Sequence, residues 1–239
     1  MDRVFKIFVD FDGTISKQDV GESIFRQFGI KEKVDDTIVK LLSDQISAKE
    51  CWELLCRSVE YISKKDLDDF IFTMEIDRSF HSLVEYCKQN RMELLVLSDG
   101  FDYYIKKIFA REKLDDLKFF SNKLIVDDSN KLIPQFPYLD AGCTTSANCK
   151  RNHIINNSGD DEFTVFIGDG NSDKYTAQFC DFIFAKDDLL KFCEVERITY
   201  FPFNNFNDVI AKMEQLRMRK RLKKRHQAEL KRREVYMIE

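Results

Sequence analysis

No apolar run in the 239-residue chain approaches the roughly 20 residues needed to span a bilayer. The N-terminus enters a strand-like segment without a signal-peptide pattern, so a cytoplasmic protein with no membrane partner is expected. The seven cysteines (51, 56, 87, 143, 149, 180 and 193) are odd in number and scattered through expected helices and loops. That excludes a disulfide framework and leaves them reduced and packed. Cys143 and Cys149 form the only close pair in a loop, and their separation is no familiar zinc spacing. Glycine is missing between Gly29 and Gly100, and neither an internal repeat nor a long linker occurs.

What is present is ordinary in amount and unusual in placement. A hydrophobic content of 44% with 33% charged residues suits a globular protein of one or two domains. The net charge of −4 conceals an asymmetry. Ten Lys or Arg lie between Arg217 and Arg233, while residues 1–216 hold 28 basic side chains against 39 acidic ones.

The run Val4-Phe5-Lys6-Ile7-Phe8-Val9 reads as a central strand buried on both faces, and it stops at Asp10-Phe11-Asp12-Gly13-Thr14. With Phe11 pointing away, Asp10 and Asp12 can face one crevice, and Gly13 lets the backbone turn. A solvated turn closing a strand is the structural alternative. Two more buried runs follow, Glu93–Leu97 ending at Ser98-Asp99-Gly100 and Phe163–Ile167 ending at Gly168-Asp169-Gly170-Asn171-Ser172-Asp173. Helical periodicity fills residues 16–76, with a capping box at Ser47-Ala48-Lys49-Glu50 and a helix start at Ser63. A hairpin is expected from Phe119–Val126 and Lys131–Phe136, placed at a sheet edge by Pro134 and Pro137. A polar loop should run from Asp140 to Asn148, ahead of Cys149-Lys150 and a helix.

In a parallel sheet the three polar clusters fall at one edge, where ligands bind. Crowded carboxylates need a cation, and oxygen-only ligands select a hard ion such as Mg2+, which in turn implies phosphate. Ser98 and the amides of Asp99 and Gly100 can meet phosphoryl oxygens, and Lys150 can supply positive charge. Alternatives stay open: Ser98 as a helix cap, Asp173 as a helix N-terminal charge, and Lys150 as a solvated loop lysine.

These residues resemble the haloacid dehalogenase superfamily of phosphohydrolases. Asp10-Phe11-Asp12-Gly13-Thr14 is similar to its first motif, Ser98 to its second, Lys150 to its third and Gly168-Asp169-Gly170-x-x-Asp173 to its fourth. The likeness covers roughly residues 1–212 and narrows to the phosphoserine-phosphatase-like branch, whose helical cap follows the first motif. Within it, Ser98–Tyr104, Cys149-Lys150 and Phe184–Leu190 look most like the methionine-salvage phosphatases of 2-hydroxy-3-keto-5-methylthiopentenyl-1-phosphate. Asp99 departs from the glycine common in the branch.

The resemblance implies a doubly wound, Rossmann-like α/β core (1–15 and 77–212) with a helical cap (16–76). It implies a Mg2+-dependent phosphomonoesterase for a small phosphorylated metabolite. Asp10 would be the nucleophile and Asp12 the acid and base, with metal held by Asp10, Asp12, Asp169 and Asp173. Phosphate would meet Ser98, Asp99, Gly100 and Lys150. Glu22 is a candidate substrate contact on the cap, and His153 is a helix-face residue. Phosphoserine or another small amino or alcohol phosphate is the rival substrate, and a non-enzymatic phosphate-binding module the rival class.

Residues 213–239 form a basic tail, expected as an exposed helix leaving the core after Met213 and Leu216. Its far end should fray unless an acidic surface, the body's own included, neutralises it. Leu222 and Leu230 are too sparse for a membrane helix, and no aromatics interleave the charges, which also disfavours nucleic acid. Truncation after Leu216 is therefore expected to leave turnover nearly unchanged.

Overall fold

The computed structural model describes residues 4–140, 142–143 and 146–238. Positions 141, 144 and 145 of the expected Asp140–Asn148 loop lie outside them. Along the chain, β1 (Phe5–Asp10) leads to four helices, α1 (Val20–Phe28), α2 (Lys31–Leu42), α3 (Ala48–Ser58) and α4 (Lys64–Ile71). Then come α5 (Phe80–Gln89), β2 (Glu93–Phe101), α6 (Asp102–Glu112) and the hairpin β3 (Lys118–Val126) and β4 (Leu132–Gln135). Alternation continues through α7 (Lys150–Asn156), β5 (Phe163–Gly168), α8 (Asp173–Ala177), β6 (Phe182–Ala185), α9 (Asp187–Val195) and β7 (Phe201–Pro202). Two helices follow, α10 (Phe206–Met218) and α11 (His226–Ile238).

The most apolar runs take the middle of a seven-stranded, mostly parallel sheet of order β4-β3-β2-β1-β5-β6-β7. β1 pairs in parallel with β2 and β5, setting Val9 opposite Val96 on one side and Ile167 on the other. With neighbours on both sides, β1 buries every residue but Lys6, and Phe8, Leu95 and Phe166 are fully buried. β6 and β7 extend the parallel run, and β3 with β4 is the expected antiparallel hairpin. Pro134 sits in the outermost strand, where a missing amide costs no ladder bond on the open side. The two-residue β7 carries no alternation for a sequence reading to detect.

By compactness the chain divides into two units, and the division falls inside β2. The first comprises Met1–Ile15, Ile76–Leu97 and Lys150–Glu239. Its core includes Phe80 against Phe206, with ring centroids 5.1 Å apart, and Phe5 against Phe163 at 5.5 Å. The second comprises Ser16–Glu75 together with Ser98–Cys149, so the helical insertion shares its unit with α6 and the hairpin. There the capping box at Ser47 and Glu50 is formed, and Ser63 caps α4 by accepting from the Asp66 amide at 3.0 Å. Phe25, Trp52 and Phe101 make an aromatic cluster, Trp52 and Phe101 lying 4.9 Å apart.

The basic tail differs from the exposed helix expected of it. α10 ends at Met218, residues 219–225 have no regular structure, and α11 turns back onto the first unit with Ala228 fully buried. The Arg232 guanidinium pairs with the Asp181 carboxylate at 3.1 Å, an acid of the body neutralising the tail. The partners lie 51 residues apart in sequence, a separation at which local pattern carries no signal.

Candidate active site

Asp10 is the last residue of β1 and is 4% exposed. Behind it the backbone turns through Asp12 (φ −77°, ψ 117°) and Gly13 (φ +81°). Gly13 is required twice over, by its left-handed φ and because a β-carbon there would stand 2.4 Å from Asp169 Oδ2. Gly168 serves the same purpose for Asp173, whose Oδ2 would lie 2.4 Å from an added β-carbon. The two glycines thus let two carboxylates close against the backbone.

Asp169 follows β5 directly, and Thr14 Oγ1 donates to its Oδ1 at 2.5 Å. Asp173 opens α8, and its Oδ2 accepts the amides of Asp169 (3.0 Å) and Gly170 (3.1 Å). Its other oxygen, Oδ1, accepts from Lys150 Nζ at 2.6 Å. Lys150 opens α7 and is 1% exposed; its ammonium also donates to Asp10 Oδ1 at 2.5 Å and to Ser172 Oγ at 3.0 Å. All three ammonium hydrogens therefore have acceptors. Lys150 is a buried counter-ion and not the solvated loop lysine that the sequence left open.

The charges set one another. Burial raises the pKa of Asp10 well above the usual carboxylate range, Asp173 raises it further, and Lys150 opposes both. Asp169 and Asp12 add to the upward push. Burial also lifts Asp169 to about 6, with Asp173 adding to the rise and the Thr14 bond, Lys186 and Lys150 opposing it. For Lys150, burial alone disfavours the charge, but Asp10 and Asp173 more than offset it and hold the ammonium protonated. Asp10, Asp169 and Asp173 each offer an oxygen within 4.8 Å of the others, so these three could hold a cation. Oxygen-only donors under mutual repulsion fit a hard divalent ion. A like-charge pair at about 4 Å costs on the order of 4 kcal/mol at an effective dielectric of 20, and Lys150 can relieve only part of that.

Ser98, Asp99, Gly100 and Glu22 belong to the second unit. Ser98 is fully buried, and Gly100 N–H donates to its Oγ at 2.9 Å. Asp99 turns its Oδ1 to the loop before Lys150, accepting Ser146 Oγ (2.8 Å) and the amides of Ala147 (2.8 Å) and Asn148 (2.7 Å). Asn148 returns a bond from Nδ2 to the Ser98 carbonyl at 2.7 Å. The acid that departs from the branch pattern is thus a loop anchor. Glu22 receives Arg26 Nε at 2.6 Å in a surface pair, and His153 is buried on α7. Thr14, Ser172 and Lys186 were not singled out from sequence. The first two flank recognised acids in sequence, which was the available signal; Lys186 reaches Asp169 only through the fold.

The family model described as "Putative Phosphatase" matches residues 5–195. A 2-hydroxy-3-keto-5-methylthiopentenyl-1-phosphate phosphatase of Bacillus mycoides (strain KBAB4) is 31% identical over 215 residues, covering 88% of this chain and 96% of its own. Among solved structures, a phospho-aspartyl intermediate analogue of phosphoserine phosphatase aligns with TM-score 0.65 at 19% identity, covering 89% of this chain and 99% of its own. A haloacid-dehalogenase-family hydrolase of Salmonella enterica aligns with TM-score 0.68 at 16% identity, covering 87% and 70% respectively. These two show a shared fold.

Proposed function

This chain belongs to that phosphatase family, within the haloacid dehalogenase superfamily, and we propose that it is a Mg2+-dependent phosphomonoesterase acting on 2-hydroxy-3-keto-5-methylthiopentenyl-1-phosphate in methionine salvage. The observation that carries the chemistry is a buried ammonium, Lys150, shared by Asp10 and Asp173 beside a third carboxylate. The substrate rests on the name of the Bacillus relative and on its match along nearly the whole of both chains.

Lys150 engages Asp10 through Oδ1 and favours its ionised form, as a nucleophile requires. A carboxylate oxygen of Asp10 attacks phosphorus while Asp12 donates a proton to the departing ester oxygen. Asp12 then takes a proton from water, which attacks the aspartyl phosphate, releasing phosphate and restoring Asp10. A Mg2+ held by Asp10, Asp169, Asp173 and the Asp12 carbonyl would supply the charge neutralisation that an anion meeting a phosphate dianion needs. Lys150 contributes a fixed positive charge at Asp10. Ser98, with the Asp99–Gly100 backbone, is assigned to phosphoryl oxygens by its motif.

A panel of small phosphate esters tests the proposal, each assayed with Mg2+ and with EDTA. The expected result is metal-dependent hydrolysis with the highest kcat/KM for the methylthiopentenyl ester. Preference for phosphoserine would overturn the substrate. No hydrolysis of any ester, p-nitrophenyl phosphate included, would overturn the class.

A further inference from the structure

The C-terminal segment lies beyond the stretch that the family model matches, and it ends on a helix of the candidate active site. Arg225 Nη2 donates to the carbonyls of Ala177 (2.9 Å) and Gln178 (2.6 Å), at the C-terminal end of α8. Arg232 Nη1 donates to the next carbonyl, Phe179 O, at 2.6 Å and to Thr164 Oγ1 at the start of β5 at 3.0 Å. Its Nη2 meets Asp181 Oδ1 at 3.1 Å, and Asp181 Oδ2 accepts both the amide and the hydroxyl of Thr164 at 3.0 Å. The Asp181 side chain is fully buried. Two guanidinium groups therefore close three successive carbonyls and tie them to the strand that leads to Asp169.

Helix α8 has five residues, too few to be stable by its own hydrogen bonds. The carbonyls of Tyr175, Thr176 and Ala177 accept the amides of Gln178, Phe179 and Cys180 just beyond the helix, and the guanidinium groups add further donors there that also complement its dipole. Asp173 is its first residue and Ala177 its last, about 6 Å apart at 1.5 Å per residue. A displacement of the clamped end is thus carried almost undiminished to the carboxylate that receives Lys150 and faces Asp10 and Asp169. We propose that Arg225 and Arg232 are positioning residues for Asp173, so that the basic tail fixes the cation site from the far end of α8. The inference rests on the reading that Asp10, Asp169 and Asp173 hold a cation. It reverses the expectation that the tail is dispensable.

Arg225→Met is the discriminating variant, because its side chain bonds only carbonyls and Asp181 keeps Arg232. Mn2+ binding to the full-length protein is measured by electron paramagnetic resonance of the free ion, beside thermal melts. The expected result is about tenfold weaker Mn2+ binding, the lower end of what outer-shell changes cause. KM for p-nitrophenyl phosphate at saturating Mg2+ should stay within about twofold. Ser47→Ala, a cap mutation in the second unit, lowers stability and should leave Mn2+ affinity unchanged. A folded Arg225→Met protein binding Mn2+ as tightly as wild type would overturn the clamp. If that variant does not fold, Arg225→Gln, whose shorter amide falls short of the Ala177 and Gln178 carbonyls, carries the same comparison. Failure of the wild type to bind Mn2+ would overturn the cation site itself, and the inference with it.

Discussion

Lys150 is where the chemistry and the stability of this protein meet. Its ammonium is buried among groups that would otherwise repel, and removing one partner of a buried ion pair strands the rest. Lys150→Met should lower kcat on the order of 10²–10³-fold at saturating Mg2+, as loss of one fixed electrostatic contact does. Steady-state assays on protein whose circular dichroism is native would check this; wild-type kcat would refute the role. Gly13→Ala puts a side chain at φ +81° and into Asp169, at a backbone cost on the order of 1–3 kcal/mol. Both the melting temperature and the affinity for metal should drop, the second showing that Asp169 has moved. His153 offers a test without active-site chemistry. Burial lowers its pKa from 6.5 to about 4, so between those values the unfolded chain takes up a proton that the folded one refuses. Stability is lost as pH falls through that window, by about 2 kcal/mol from pH 7 to 5. In urea melts the fall in stability from pH 7 to 5 should be larger for wild type than for His153→Gln by that amount, and equal falls would exclude a buried neutral imidazole.

At the scale of elements, the sequence was most readable where burial is complete. β1, β2 and β5 are mainly apolar runs, interrupted only by Lys6 and Thr164 before their polar C-terminal clusters. Ser47 and Glu50 were legible because capping is a local contest for amides, settled within four residues. Ser47→Ala should lower stability by about 1 kcal/mol, seen as a fall of a few degrees in Tm with kcat unchanged. What escaped were long-range pairings. Asp99 read as a charge beside a phosphate site, yet its carboxylate holds the 146–148 loop, a relation that needs the fold. Arg225 and Arg232 read as two charges in a solvated run, because only the fold brings Asp181 and the α8 carbonyls to them. The five-residue α8 itself shows no periodicity, and Asp173 was found through its motif instead.

For the whole molecule, Asp10, Asp12, Asp169 and Asp173 at the ends of β1 and β5 outnumber the one ammonium bonded among them, and Asp10, Asp169 and Asp173 could hold a cation. Among the described residues no helix is long and apolar enough to cross a membrane. EDTA should abolish turnover and restored Mg2+ should recover it; full activity in chelator would contradict the cation requirement. The central claim is that the phosphoryl group passes through Asp10. With Asp12 as the proposed base, Asp12→Asn should slow release of phosphate from the enzyme, while an aryl ester needs little help from an acid in the first step. Acid-quench mass spectrometry of Asp12→Asn protein mixed with p-nitrophenyl phosphate should therefore find a phosphoryl group on Asp10. Nitrophenol released with Asp10 unmodified at every quench time would contradict it.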